Sequence, residues 1–337
     1  MKDAIMRLFV GVLLGATGFG LCFGCSKKTN PAEDKAAAFV GNSGGKITRG
    51  SKSGDVVEVD LRKTAITDVD LKILKDFTKL RSLNLRATKV SDAGLLELGS
   101  IRSLRCLNLT ATKITGKGLK ELEALQDLED LYLAATDTND IDVAALSNFK
   151  HLQRLDLSVT KVTDASLNAI KKIAGLQDLI LSGTAITDEG ARSIGELANL
   201  QVLFLTNTSV SDAGLTYLRP LGKLKSLVLQ GTPVTDAGMA TLAELHELNG
   251  LVLSGAKITD QGVKHLKQLK GLTCLDLTGT AITDACLGDL KEMVALETLY
   301  LTSTGVSEPG AANLRKALPK TKVIWSRYAP QQSGALG

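Results

Sequence analysis

Hydrophobic positions in this chain recur every 24 residues. The leading ones are Val56, Leu80, Leu104, Leu128, Leu152, Leu176, Leu200, Leu224, Leu248, Leu272 and Leu296. From each, the pattern runs L-x-x-L-x-L-x-x-T-x-(I/V)-(T/S)-D-x-G-L-x-x-L-x-x-L, as Leu80–Ser103 illustrates. The x-L-x-L piece has period two, which predicts a short strand with both leucines on one side. The later L-x-x-L-x-x-L places one apolar stripe on a short helix. Between them Thr or Ser falls at the N-cap and Asp at the first helical position, as in Ser91-Asp92, Thr163-Asp164, Thr187-Asp188, Ser211-Asp212, Thr235-Asp236, Thr259-Asp260 and Thr283-Asp284. The hydroxyl suits the free N–H groups of a helix start, and the carboxylate suits its positive end. Eleven strand–helix units are predicted over residues 56–319. A capping strand follows at 320–327, with Val323 and Trp325 inward and the single tryptophan closing the end.

A unit of this length cannot bury its own apolar face, so it has to stack on its neighbours. Stacking shares strand hydrogen bonds and closes a core between successive units. The pattern over 56–325 resembles the leucine-rich repeat family, in the variant with T-D-x-G-L after the strand that bacterial and F-box-associated proteins carry. The resemblance implies an α/β right-handed solenoid, a horseshoe with a parallel sheet on the concave face and short helices on the convex face. The family usually has Asn at the ninth position. Here Thr64, Thr88, Thr112, Thr136, Thr160, Thr184, Thr208, Thr232, Thr280 and Thr304 stand there, with Ala256 the exception. A hydroxyl does part of an amide's work, which predicts a similar ladder with fewer hydrogen bonds. The unit at Asp137–Val143 is irregular, with Thr138 in place of Ile or Val and Asp142 in place of Gly. Its acids do not follow calcium-loop spacing, so a local change of turn and helix start is expected.

Outside the repeats the pattern changes. Residues 1–24 have a short basic start and an apolar, glycine-rich run, which read as an export signal. Their end, L-C-F-G-C-S, resembles a bacterial lipoprotein signal, with Gly24 before the cysteine to be lipidated, Cys25. Cys22 stands where that pattern usually has Leu. A simply cleaved signal and an uncleaved anchor remain the alternatives. Residues 25–35 are polar and charged and read as a flexible tether. Residues 36–55 are assigned to an N-terminal cap, with a short helix ending near Gly41 and strands near Lys46–Arg49 and Val56–Leu61. Residues 328–337 are a disordered tail in this reading.

Composition narrows the function. Hydrophobic residues make up 44% of the 337 but aromatics only 4%, so the core has to be aliphatic. The net charge of +4 resides in the N-terminal segment, and residues 55–337 are close to neutral, leaving no basic face for nucleic acid. Five cysteines make no disulfide framework. Cys106 and Cys274 share a repeat position seven repeats apart, and Cys286 lies across its own repeat from Cys274. His151, His246 and His265 fall in different repeats on the helix side. No nucleophile elbow, phosphate loop, dinucleotide fingerprint or zinc-helix motif occurs, and the regular Asp residues read as caps. Neither a cofactor nor a metal is expected, and the chain reads as non-enzymatic.

The informative variation lies at the outward strand positions. Between the two strand leucines stand Asp60, Asn84, Asn108, Tyr132, Asp156, Ile180, Phe204, Val228, Val252, Asp276, Tyr300 and Ile324. Ile180, Phe204, Val228 and Val252 form an apolar run, joined by Val202, with Tyr132, Arg154, Asp156 and Asp178 to one side and Asp276 and Tyr300 to the other. An apolar patch with a polar and aromatic rim is the composition of a protein-binding surface. The chain is therefore expected to be a monomeric, lipid-anchored interaction scaffold of the bacterial envelope, on its periplasmic or surface side, with a protein partner on the concave face. An envelope spacer without a ligand and a glycan or peptidoglycan binder are the other two readings. Labelled palmitate is expected to enter the wild-type chain and to be absent from Cys25→Ala. Equal labelling of both contradicts lipidation at Cys25.

Overall fold

The computed structural model describes residues 30–327. The expected leader 1–24, Cys25, the first residues of the tether and the tail 328–337 lie outside the described residues. Two compact units divide between Leu179 and Ile180. In the first, β1 (Lys46–Arg49) pairs antiparallel with β2 (Val56–Asp60). Then β3 (Ser82–Asn84), β4 (Cys106–Asn108), β5 (Asp130–Tyr132) and β6 (Arg154–Asp156) follow, each parallel to the strand before it. β7 (Asp178–Ile180) carries the boundary. In the second unit β8 (Val202–Phe204), β9 (Ser226–Val228), β10 (Gly250–Val252), β11 (Cys274–Asp276), β12 (Thr298–Tyr300) and β13 (Lys322–Ile324) are again sequential and parallel. A short α-helix or 3-10 turn follows every strand from β2 to β12. Each unit has the expected leucine-rich repeat solenoid architecture. Within one repeat Leu80, Leu83, Leu85, Val90, Leu95 and Leu98 are fully buried, so the pattern's apolar positions are the core.

The Asp of T-D-x-G does more than cap a helix. Asp68 Oδ1 accepts the backbone N–H of Ser91, and its Oδ2 accepts the Ser91 hydroxyl, both at 2.7 Å. Asp92 holds Thr115 in the same way, and Asp140 holds Thr163. In the second unit Asp188, Asp212, Asp236, Asp260 and Asp284 hold Ser211, Thr235, Thr259, Thr283 and Ser307. Each carboxylate therefore clips its repeat to the next through two charge-assisted bonds. The clip also explains the glycine of the motif. A Cβ on Gly94 would stand 2.6 Å from Asp68 Oδ1, and one on Gly238 would stand 2.4 Å from Asp212 Oδ1.

The irregular repeat obeys the same rule in reverse. Gly116 occupies the Asp position of its repeat, and Asp142 occupies the Gly position of the next. A Cβ on Gly116 would fall 1.6 Å from the Cβ of Asp142, so Asp142 fills the space left by the missing acid. From there its Oδ2 accepts the N–H of Asn139 at 3.2 Å. The first repeat has no preceding Asp clip. There Asp70, also at the Gly position, accepts from both N–H and hydroxyl of Thr67 at 2.8 and 2.9 Å.

Two expectations are corrected. The ninth-position threonines do not bond from repeat to repeat. Each hydroxyl donates to the carbonyl three residues earlier in its own repeat, as Thr88 does to Leu85 and Thr232 to Leu229, both at 2.7 Å. The nearby carbonyl of its own turn takes the hydroxyl, and the Asp clip makes the bond between repeats instead. The tether expected over 25–35 is helical from Pro31, because α1 runs Pro31–Asn42 with Asn30 as its N-cap. The acids that gave the stretch a solvated composition are bonded. Glu33 is buried, and its Oε1 accepts both Arg49 Nη1 at 2.9 Å and the N–H of Val56 at 2.8 Å. At the far end Trp325 is half-buried and donates its Nε1–H to the Val306 carbonyl at 2.8 Å.

The residue before each ninth position has a left-handed backbone. Lys63, Ala87, Ala111, Ala135, Val159, Asn207 and Ser303 have φ between 53° and 60°, and Gly183, Gly231, Gly255 and Gly279 between 68° and 71°. A β-branched residue is the costliest occupant of that region, and Val159 is 64% exposed, so its side chain gives little packing in return. Val159→Gly should raise the denaturation midpoint by about 0.5–1 kcal/mol of stability. A lower midpoint would contradict the strain. Gly116→Asp alone should cost about 3 kcal/mol through overlap with Asp142, and Asp142→Gly alone about 1–2 kcal/mol through the lost acceptor. The double variant should return to within about 0.5 kcal/mol of wild type. Additive losses would exclude the exchanged clip.

Candidate binding surface

Alternation along each strand sends the leucines into the core and the residue between them to the opposite face. In the first unit that face carries Asp60, Asn84, Asn108, Tyr132 and Asp156 in register. Most of these polar side chains close the strand ends. Oδ1 of Asp60 accepts the N–H of Arg62, that of Asn84 the N–H of Arg86, that of Asn108 the N–H of Thr110 and that of Asp156 the N–H of Ser158, all at 2.9–3.1 Å. Asp60 further takes Arg62 Nε at 2.7 Å, and Asp156 takes the Ser158 hydroxyl at 2.6 Å. Beside this column Arg154 bridges two acids, donating from Nε to Asp178 Oδ2 at 2.7 Å and from Nη1 to Asp130 Oδ2 at 3.3 Å. Burial pushes the carboxyls of Asp130 and Asp178 up, while Arg154 pulls them down. Burial also raises Asp156 and, aided by the charge of Asp130, Tyr132. Arg154 and Asp178, expected as partner contacts, are thus engaged with each other.

The second unit's face differs. Phe204, Val228, Val252, Asp276 and Tyr300 occupy the outward position of β8 to β12 in register. They are 3%, 7%, 1%, 0% and 6% exposed, so the patch is far more enclosed than a free surface would be. Ile180 and Val202 are half-buried. The neighbouring outward column reads Val202, Ser226, Gly250, Cys274 and Thr298. Gly250 has no side chain to offer there. The Thr278 N–H donates to Asp276 Oδ1 at 2.8 Å, but Asp276 Oδ2 and Thr278 Oγ1 are buried without a partner. Neither Gly250 nor the orphaned oxygen was part of the sequence reading. A glycine at an outward strand position with no turn to make was the available signal. The expected site residues fall in both units, with Tyr132, Arg154, Asp156 and Asp178 in the first and Ile180, Val202, Phe204, Val228, Val252, Asp276 and Tyr300 in the second.

The thiols are placed for packing. Cys106 is half-buried and Cys274 and Cys286 are buried, all unpaired. Burial pushes them up to about 11, 12 and 12 respectively, far from a reactive thiolate. Cys286 stands at the Gly position of its repeat, against the Asp260 clip. His151, His246 and His265 are exposed. Among the described residues no group of three or more His, Cys, Asp or Glu side chains is arranged to hold a metal ion. None of their helices is long and apolar enough to cross a membrane.

A comparison with curated proteins finds no match. Among solved structures, the chain is similar to an internalin from Listeria monocytogenes, with 20% identity and a TM-score of 0.59 over 88% of this chain and 95% of that one. It is similar to a leucine-rich repeat protein of Leptospira interrogans, at 21% identity and a TM-score of 0.55, covering 79% of this chain and 71% of that one. The ectodomain of the Arabidopsis receptor kinase HAESA, solved with a peptide hormone, is similar at 15% identity and a TM-score of 0.60, covering 88% of this chain and 53% of that one. These likenesses are of fold. A family model described as a leucine-rich repeat matches residues 78–99 and again 100–122. A model described as a leucine-rich repeat region matches residues 133–328, more than half of the chain, and with the clipped strand–helix repeats it places this protein in the leucine-rich repeat family.

Proposed function

We propose that this protein is a non-enzymatic interaction scaffold, exported to the bacterial cell envelope, held on a membrane through Cys25, and binding a protein partner on the outward face of β8 to β12. The leucine-rich repeat fold commonly mediates protein–protein interaction. One observation carries the choice of face. Phe204, Val228 and Val252 stand in register on the side of the sheet opposite the leucine core. The core is already filled by leucines such as Leu203, Leu227 and Leu251, so the scaffold itself does not require three apolar residues on the other side. Buried aromatic and aliphatic anchors with a polar margin are the usual energetic centre of a protein interface. The HAESA ectodomain, similar in fold, was solved with a peptide ligand, which supports a protein or peptide partner.

A photo-crosslinking amino acid at Val202 should give one discrete protein adduct in living cells. The same group at exposed His246, on the helix side, should not give it. Phe204→Leu, which keeps the buried position apolar, should sharply reduce the adduct at Val202 while the melting temperature stays within a few degrees of wild type. No protein adduct at Val202, or retention of the chain on wall polysaccharide instead, contradicts the proposal.

A further inference from the structure

Asp276 differs from every other acid on the outward faces. Its Oδ1 closes the strand end on the Thr278 N–H at 2.8 Å, as its counterparts do. Its Oδ2 has no donor in hydrogen-bond geometry, although the residue is 0% exposed, and the Thr278 hydroxyl two residues on, near enough to hold the carboxyl down, makes no well-formed bond. At the same register Asp60 satisfies its second oxygen with Arg62, while Asp156 takes both the N–H and the hydroxyl of Ser158 on Oδ1. A buried carboxylate oxygen without a donor is costly, so a donor brought by a ligand would be favourable there. Leu275 and Leu277 point to the core, which leaves Asp276 on the opposite, ligand-facing side. Val252 and Tyr300 are its register partners on either side. Gly250, on the strand beside Cys274, contributes no side chain to the neighbouring outward column.

We propose that Asp276 Oδ2, with Thr278 Oγ1 beside it, receives the lysine or arginine side chain of an extended protein segment whose adjacent apolar residue lies against Val252 and Val228. The inference rests on the protein-binding reading above and specifies the ligand's chemistry. Charge complementarity decides the occupant. An ionised carboxylate only accepts, so it calls for a donor, and a cationic donor also neutralises the buried charge. Burial, which raises the Asp276 carboxyl, is the cost that such a cation would offset. A long basic side chain brings an apolar stem as well, and that stem suits the valine and tyrosine neighbours.

The test uses the purified full chain in detergent and an array of acetylated octapeptides. Each peptide carries one Leu or Phe and, at varied spacing, one Arg, Lys, Gln or Glu. Wild type should retain Arg and Lys peptides at least about tenfold more strongly than their Gln and Glu counterparts. Asp276→Asn should lose that preference and keep the selection for the apolar residue. Its melting temperature at pH 7 should equal or exceed that of wild type, since an unpartnered buried charge has been removed. Apolar selection with no basic preference, or a preference that survives Asp276→Asn, overturns the subsite and leaves the binding face standing. No selection by wild type, matched by Phe204→Leu, overturns both. A fall of several degrees in the melting temperature of Asp276→Asn would show that the acid serves the fold, and that too overturns the subsite.

Discussion

The structure depends on one contact repeated between neighbours: an Asp carboxylate of one repeat gripping the N–H and hydroxyl of Ser or Thr in the next. Aliphatic burial holds the layers together but has little directional content. Backbone bonds between parallel strands align the sheet side of each repeat. The carboxylate clip does the same for the helix side, from Asp68–Ser91 in the first unit to Asp284–Ser307 in the second. Because the acid reaches into the following repeat, it dictates what that repeat can carry. Small residues stand opposite it: Gly94 and Gly238 leave room, and Ser166 and Cys286 are tolerated. Where the acid is absent, as at Gly116, an acid enters from the other side as Asp142. The irregular repeat therefore keeps an acceptor for the Asn139 N–H but supplies it from within its own repeat.

Most of the chain's polar residues are occupied in holding the scaffold together. The regular acids are clips, the ninth-position threonines close their own turns, and Asp or Asn at the strand ends accepts the N–H two residues on. Arg154 engages both Asp130 and Asp178. What the scaffold leaves unexplained is small: three apolar side chains, Phe204, Val228 and Val252, and one carboxylate oxygen of Asp276. The proposed function and its ligand chemistry are built on that remainder.

Much of the fold was legible in the sequence, because a period of 24 with leucine at fixed places admits few other solutions. The strands, the capped helix starts and the inward leucines follow from periods of two and about 3.6. Partnerships between repeats were not legible. The motif T-D-x-G reads as a local cap, and only the three-dimensional offset shows Asp68 against Gly94 rather than against its own helix alone. The start of α1 was hidden for a related reason. Glu33, Asp34 and Lys35 have the composition of a solvated tether, and only the pairing of Glu33 with Arg49 and Val56 makes the segment part of the cap. For the binding face, the apolar column could be read by register, whereas the orphaned oxygen on Asp276 depends on geometry two residues away.

The central claim is that clip residues maintain the solenoid and outward residues of β8 to β12 serve binding. A saturation scan that reads cellular abundance and crosslinking at Val202 in the same variants tests it most directly. The account predicts that changes at Asp212, Asp236, Gly238 and Gly262 reduce abundance and crosslinking together. Size-conserving changes at buried Val228, Val252 and Asp276, such as Val→Thr and Asp→Asn, should reduce crosslinking with little loss of abundance. If the outward residues lower abundance as strongly as the clip residues do, the division between scaffold and binding face is contradicted.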